Sequence, residues 1–268
     1  MRSSKVPTSK EIVLYDESSF DTFSPAEYLT EYYSSVSGEN TELLKFFIEA
    51  SRFIPIGVTM LEHGGGPTVY QLISYAFKVS TIEFADYLSR NIAELEKWDK
   101  CMPEAHDWTS FTKVALTLEL GRAPTNDKIT YRENLVRKKL AHFSHVNAFD
   151  KKDDTTRLKK YDFVSSNFVA ESIACDRREW VKALKNITSY VSSGGLLSMT
   201  VIRNAEYWVS GGKKYPSYPV SHDTVIAELQ KLGFKITLAR QIDADIMDHQ
   251  DSNYEGYDGM VFVLAQRS

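Results

Sequence analysis

The residues best suited to chemistry lie in one stretch, "GVTMLEHGGGPTVYQLISYAFKVSTIEFADY", residues 57–87. An apolar run closes on an acid, Glu62. Gly64, Gly65 and Gly66 follow, then Pro67 and Thr68, and a second apolar run closes on Asp86, 22 residues beyond Gly64. A glycine turn between a strand and its helix lets a ligand approach the backbone, because no Cβ stands in the way. A carboxylate at the end of the next strand is placed to accept hydrogen bonds from ribose hydroxyls. Together they predict a ribose-bearing ligand. A nucleoside triphosphate loop would end in Gly-Lys-Ser/Thr, and Pro67-Thr68 stand there instead. A dinucleotide would want a third glycine at position 69, which is Val69. The remaining candidate is S-adenosylmethionine, which has a ribose but no phosphate and whose methionine part can lie against a glycine turn.

These residues need a scaffold, and the pattern of the chain describes one. "SPAEYLTEYY" (24–33) has Ser24 as N-cap, Pro25 at the first helical position and Glu27 three residues on. "NTELLKFFIEASRFI" (40–54) has helical apolar spacing. Strands and helices then alternate: "VTMLE", the helical "TVYQLISYAF", "STIEFA", the helical "SRNIAELEKWDKC". "FTKVALTLEL" (111–120) and "ENLVRKKL" (133–140) fit helices on either side of the turn-rich "GRAPTND". "FSHVNAFD" (143–150) ends a strand and "YDFVSSNFV" (161–169) holds another. "REWVKALKNITSYV" (178–191) reads as a helix stopped by Ser193-Gly194-Gly195, before the strand "GLLSMTVI" (195–202). A capped helix ending at Gly233 and two strands, "KITLARQI" and "MVFVLAQ", finish the chain. Such alternation predicts an α/β domain whose mostly parallel sheet is covered on both faces. The expectation is one domain over 1–268, with an N-terminal helical cap (1–54) on the core (55–268).

The bulk properties set limits. With 43% hydrophobic and 25% charged residues, the 268-residue chain has the composition of a soluble globular protein. A net charge of −4 argues against a nucleic-acid surface, which wants clustered Lys and Arg. "KKDDTTRLKK" (151–160) mixes both signs and reads as a solvated loop. The two cysteines, Cys101 and Cys175, form no zinc spacing and no disulfide framework. The six histidines form no metal cluster, and His63 reads as a polar turn residue. The polar opening lacks a signal-peptide h-region, and no 18-residue apolar run occurs. A reduced cytoplasmic protein, a monomer without metal, nucleic acid or membrane partner, is the expectation.

The blocks "YLTEYY" (28–33), "GGGPTVYQLIS" (64–74), "DYLSRNIAELEKW" (86–98), "PEAHDW" (103–108), "ALKNITSYVSSGGLL" (183–197) and "GMVFVLAQ" (259–266) go further. In them the chain resembles the family of nicotinamide, phenylethanolamine and indolethylamine N-methyltransferases with the thioether S-methyltransferase, from near residue 20 to the C-terminus. The resemblance implies a Rossmann-like class I methyltransferase fold with a seven-stranded sheet, and S-adenosylmethionine as cofactor. It implies that Tyr28 and Tyr33 close over the cofactor and wall the acceptor pocket. Gly64, Gly65, Gly66, Thr68 and Tyr70 match the turn that meets the methionine part. Asp86, Tyr87 and Asn91 match the ribose and adenine side. Asn147 and Ala148 replace an Asp followed by an apolar residue beside the adenine, and an amide there can both donate and accept. Asn167 falls near the sulfonium.

The resemblance also bears on the acceptor. An amine needs a group that orients its nitrogen and can take its proton. Glu171 in "NFVAES" and Glu255 in "YEGYDG" match acids that contact the acceptor's amine in the amine-methylating branch. The aspartate that holds the carboxamide in the nicotinamide enzymes is Val201 here, which disfavours nicotinamide. "NAEYWVSGGKKYPSYP" (204–219) is expected to form a lid, with Tyr207 and Trp208 as pocket walls. The implied activity is methyl transfer to a small-molecule amine, releasing S-adenosylhomocysteine. The alternative is cyclisation of the cofactor to azetidine-2-carboxylate with release of methylthioadenosine.

Overall fold

The computed structural model describes residues 17–150, 159–244 and 256–268. Most of the "KKDDTTRLKK" run, the first 16 residues and Glu255 lie outside them.

A 3-10 turn (Glu17–Thr22) leads into α1 (Pro25–Tyr33), whose N-cap Ser24 accepts the Glu27 N–H as its sequence predicts. Ser37 caps α2 (Gly38–Ser51). The core then runs β1 (Val58–His63), α3 (Tyr70–Ile73), β2 (Val79–Asp86), α4 (Ser89–Asp99), α5 (Thr109–Leu120), α6 (Asn126–Lys139), β3 (Leu140–His145), β4 (Tyr161–Asn167), α7 (Arg177–Thr188) and β5 (Val191–Arg203). A hairpin, β6 (Tyr207–Ser210) and β7 (Lys213–Pro216), precedes α8 (His222–Lys231), β8 (Phe234–Asp243) and β9 (Gly259–Arg267).

The main sheet has seven strands in the order β3-β2-β1-β4-β5-β9-β8. Strands β3 to β5 pair in parallel, and β9 is antiparallel to both of its neighbours. The chain leaves β1 toward β2 on one side and returns to β4 on the other. The strand order therefore reverses at β1/β4, and the crevice beyond those carboxyl ends is where a doubly wound fold takes its ligand. Period-2 alternation supplies the two covered faces. Met60, Phe163 and Phe262 join the core under α2, α3 and α5, while Leu61, Val164 and Val263 join the one under α7 and α8.

Three elements differ from the sequence pattern. The helix expected over 68–77 forms only at Tyr70–Ile73. Around it Val69, Tyr70, Leu72, Ile73, Tyr75 and Ala76 are all buried, so packing from every side overrides the one-faced pattern. Position 140 belongs to β3 rather than to the preceding helix. Gly194 and Gly195 do not separate a helix from a strand. They lie inside β5, where Gly194 has φ +74° and the register with β4 shifts between Tyr161 and Phe163. A Cβ on Gly195 would come within 2.9 Å of the Asp162 carbonyl, so glycine permits the bulge.

Candidate active site

A cavity of about 1120 Å³ spans the carboxyl ends of the sheet, from Asn147 beyond β3 to Met260 in β9. It is larger than most single-ligand pockets.

The glycine turn forms its floor. Gly64 and Gly65 both donate their N–H groups to the Ala85 carbonyl, at 2.8 and 3.2 Å, which fixes the turn against the end of β2. The three glycines serve different purposes. A Cβ on Gly64 would meet Val169 at 2.5 Å, and one on Gly65 would meet the Phe84 ring at 2.2 Å. Both positions are small because protein packs on them. Gly66 (φ +61°) has nothing within 4 Å of its Cβ direction. Thr68 and Gln71 are buried beneath the turn and donate to the Gly65 carbonyl at 2.8 and 3.1 Å.

Asp86 is 6% exposed on the cavity wall. Its Oδ2 accepts the Gly66 N–H at 2.8 Å, and its Oδ1 accepts the Leu88 N–H at 2.8 Å and the Asn91 amide at 2.9 Å. Burial raises its pKa against these hydrogen bonds. A carboxylate has about four acceptor positions, so a further donor can still be taken. Toward β3, Tyr87 is exposed and faces the His145 ring at 5.4 Å. Asn147 caps its own loop, with Oδ1 accepting the Phe149 N–H at 2.8 Å, and Ala148 is buried beside it.

Glu62, to which sequence reasoning gave no role, is the most perturbed acid on the wall. It is 0% exposed, and burial pushes its pKa from the usual 4.5 up to about 8. Its Oε1 accepts from the Asn167 amide at 3.3 Å, while Oε2 has no hydrogen-bond partner among the described residues. Asn167 in turn donates to the Ser165 hydroxyl and accepts from Thr200 at 2.9 Å. The signal that could have found Glu62 was its position: a carboxylate ending an otherwise apolar central strand.

Three tyrosines roof this floor. The Tyr28 and Tyr33 hydroxyls are 3.4 Å apart, and Tyr33 stacks on Tyr70 with ring centroids 5.1 Å apart. Burial holds the Tyr33 and Tyr70 hydroxyls protonated, with pKa values well above the usual 10. The hairpin closes the far side: Trp208 stacks on Tyr215 at 4.3 Å, and its indole N–H donates to the Ser172 carbonyl at 3.0 Å. α1 grips this hairpin, with the Tyr32 hydroxyl on the Val209 carbonyl and Glu31 accepting from Ser210 and Gly211.

Two expected residues are placed elsewhere. Tyr207 is not on the cavity wall; it packs under the Lys214 ammonium, 4.0 Å from its ring centroid. Alternation along β6 turns it away when Trp208 points in. Glu171 is 0% exposed and sits behind the wall, with Oε1 accepting the Ile202 N–H at 2.9 Å. Burial raises its pKa to about 7. It fastens the end of β5 rather than facing the cavity. Among the described residues no group of His, Cys, Asp and Glu could hold a metal.

Residues 11–268 match the NNMT/PNMT/TEMT family. The chain is 29% identical over 229 residues to the nicotinamide N-methyltransferase of Homo sapiens, covering 80% of this chain and 83% of that one. It is 28% identical over 254 residues to the indolethylamine N-methyltransferase of Mus musculus, covering 91% and 93%. The phenylethanolamine N-methyltransferase of Homo sapiens is 27% identical over 212 residues, covering 79% and 74%. Among solved structures, the N-methyltransferase NodS from Bradyrhizobium japonicum, in complex with S-adenosyl-l-homocysteine, superposes with a TM-score of 0.52 at 12% identity, over 88% of this chain and 90% of that one. A DhpI-SAM-HEP complex gives 0.53 at 12%, over 90% and 94%. At such identity the likeness is one of fold.

Proposed function

The chain belongs to the NNMT/PNMT/TEMT family, and on that premise we propose that it methylates a small amine other than nicotinamide. The enzyme is an S-adenosylmethionine-dependent methyltransferase. Its site suits that cofactor on two counts: the Gly66 backbone is open to the cavity, and the buried Glu62 Oε2 lacks a partner that a cofactor ammonium would supply. Gly66, Asp86 and Asn91 would hold the ribose side, Tyr87, Asn147 and Ala148 the adenine, and Glu62 with the Thr68–Gln71 turn the methionine end. When bound, the cofactor supplies an electrophilic methyl group on a sulfonium.

The protein's task is then to hold a neutral nitrogen in line and exclude water. Such positioning can lower a barrier by roughly 7–11 kcal/mol. Tyr28, Tyr33 and Tyr70 roof the reacting centre, and Trp208 on the β6–β7 hairpin serves as a lid wall. Glu171 acts indirectly, by fixing the end of β5 where Ile202 faces the cavity.

The observation that carries this reading is the extent of the cavity. It runs past β4 to β9, which leaves a second compartment beside the cofactor strands. Cyclisation of the cofactor on itself needs no such compartment. Val201 is 1% exposed and paired with Val261 across the sheet, so its position offers nothing to hold a carboxamide. No helix among the described residues is long and apolar enough to cross a membrane.

The test is to incubate the purified protein with S-adenosylmethionine, first alone and then with an amine library, and identify the nucleoside product. S-adenosylhomocysteine formed only with an amine, and not with nicotinamide, is the expected result. Methylthioadenosine formed without an acceptor would overturn it.

A further inference from the structure

Of the large apolar side chains exposed among the described residues, Tyr87 lines the cavity and Met102 follows α4. The other five gather at the opposite end of the sheet. Phe53 and Ile56 lie between α2 and β1, Phe77 lies shortly before β2, Leu120 ends α5, and Tyr131 is on α6. Contacts tie these segments together. The Gly57 N–H donates to the Lys78 carbonyl at 2.7 Å, which sets the Ile56 turn beside Phe77. The Phe77 and Tyr131 ring centroids are 6.3 Å apart. Phe77 also meets the buried Arg132 guanidinium, 4.3 Å from its centroid, and Arg132 pairs with Glu119, the neighbour of Leu120. Ile56 is 83% exposed and Tyr131 61%, so these side chains stand out from the surface instead of lining a groove.

Cations are interleaved with them. Arg52 precedes Phe53, Lys78 follows Phe77, Arg122 comes just after Leu120, and Lys128 lies one helical turn before Tyr131. None of the four forms an ion pair among the described residues. The neighbouring acids have other partners. Glu119 is held by Arg132, and Glu49, one turn before Phe53, reaches Arg240 at 3.9 Å. Asp127 sits in the first turn of α6, where the helix dipole favours it. The patch is therefore basic, on a chain whose net charge is −4.

We infer that this surface docks on an anionic lipid membrane. Protruding rings and an isoleucine suit the boundary between headgroups and acyl chains, and unpaired Lys and Arg beside them meet acidic headgroups. A second copy of the chain fits worse, because two-fold pairing would bring the same four cations together. No helix among the described residues is long and apolar enough to span a membrane, which leaves contact at its surface open. Strand β1, six residues long, places the patch about 20 Å from the glycine turn. The docked protein thus keeps the cavity at the carboxyl ends uncovered. This inference goes beyond the methyltransferase reading and does not depend on it.

The full-length protein is tested for co-sedimentation with phosphatidylcholine vesicles, with and without about 25% phosphatidylserine. The wild type should partition onto the anionic vesicles at least about tenfold more strongly, and less so at high salt. Arg122→Glu/Lys128→Glu should lower that partitioning about tenfold or more, and Ile56→Glu should also lower it. Lys185→Glu/Lys235→Glu, the same change of charge at exposed lysines of α7 and β8, should leave it within about twofold of wild type. Melting temperatures and S-adenosylhomocysteine affinities equal to wild type report that the variants are folded. Absent or equal binding to the two vesicle types overturns the inference, as does an equal loss in both double variants. A dimer in solution that Ile56→Glu dissociates would assign the patch to a second copy and overturn it as well.

Discussion

The Asp86 carboxylate accepts the Gly66 N–H at 2.8 Å, so the acid at the end of β2 and the last glycine of the turn after β1 hold each other in place. With Leu88 N–H and the Asn91 amide on its other oxygen, Asp86 is a structural bracket as well as a candidate ribose ligand. Asp86→Ala should therefore cost about 1–3 kcal/mol of stability without any cofactor, since it strands buried N–H donors. Affinity for S-adenosylmethionine should fall by a further 1.5–3 kcal/mol or so. Denaturant unfolding of the apo protein and calorimetry with the cofactor separate the two effects. Unchanged unfolding would remove the bracket role.

Gly65→Ala should destabilise through overpacking, by about 1–3 kcal/mol, because its Cβ would lie 2.2 Å from the fully buried Phe84 ring. The double variant Gly65→Ala/Phe84→Leu should recover part of the loss. Thermal melts of the wild type, Gly65→Ala, Phe84→Leu and the double variant check this, and additive losses would mean that the ring is not the obstacle.

Glu62 makes stability depend on pH. Its folded-state pKa of about 8 lies above the usual 4.5, so the fold favours the neutral carboxyl. That contribution is fully present below about pH 4.5 and is lost as pH rises toward 8, by at most about 5 kcal/mol. Glu171, raised to about 7, adds a slope of the same sign. Glu62→Gln should flatten the decline in apo-protein melting temperature between pH 5 and 8 without abolishing Glu171's share. Cofactor binding to the wild type at pH 7 should release protons, seen as a buffer-dependent heat. A Glu62→Gln slope identical to wild type would assign the decline elsewhere.

Arg90 lies one residue before Asn91 on the cofactor helix, yet its guanidinium donates to the carbonyls of Phe20, Asp21 and Phe23 at 3.1, 2.7 and 2.9 Å. These hydrogen bonds fix the segment that carries two aromatic rings into the acceptor wing. Arg90→Ala should raise acceptor KM about tenfold or more while the cofactor dissociation constant moves less than threefold. Lys should rescue poorly, because one ammonium does not reproduce the planar fork. Equal losses for cofactor and acceptor would contradict this division.

Several features were legible in the sequence because they are local. The Ser24-Pro25-Glu27 start of α1 declares itself through hydrogen bonds spanning three residues. The strand–glycine–helix–strand unit around Gly64–Gly66, with Asp86 at its end, follows from two short periodicities and a conformational requirement. Strand alternation and the family blocks then gave the seven-stranded architecture. What lay beyond reach was set by contacts between distant segments. The Glu62 pKa depends on burial under α3 and on Asn167, 105 residues away. Glu171 is an acid after a strand in either setting, and only the Ile202 N–H behind the wall decides that it faces inward. Gly194-Gly195 looked like a helix stop, because a bulge is defined by the neighbouring strand and not by the chain that carries it. Glu39 and Tyr257 stand 218 residues apart, and only the closing of the N-terminal helices over the last strand brings them into one compartment. The sequence by itself determined the architecture and the cofactor turn, since both are specified by near neighbours. The tertiary structure decided which acid is buried behind the wall, which is held by several donors and which lines the cavity, since burial and electrostatic environment are properties of the assembled fold.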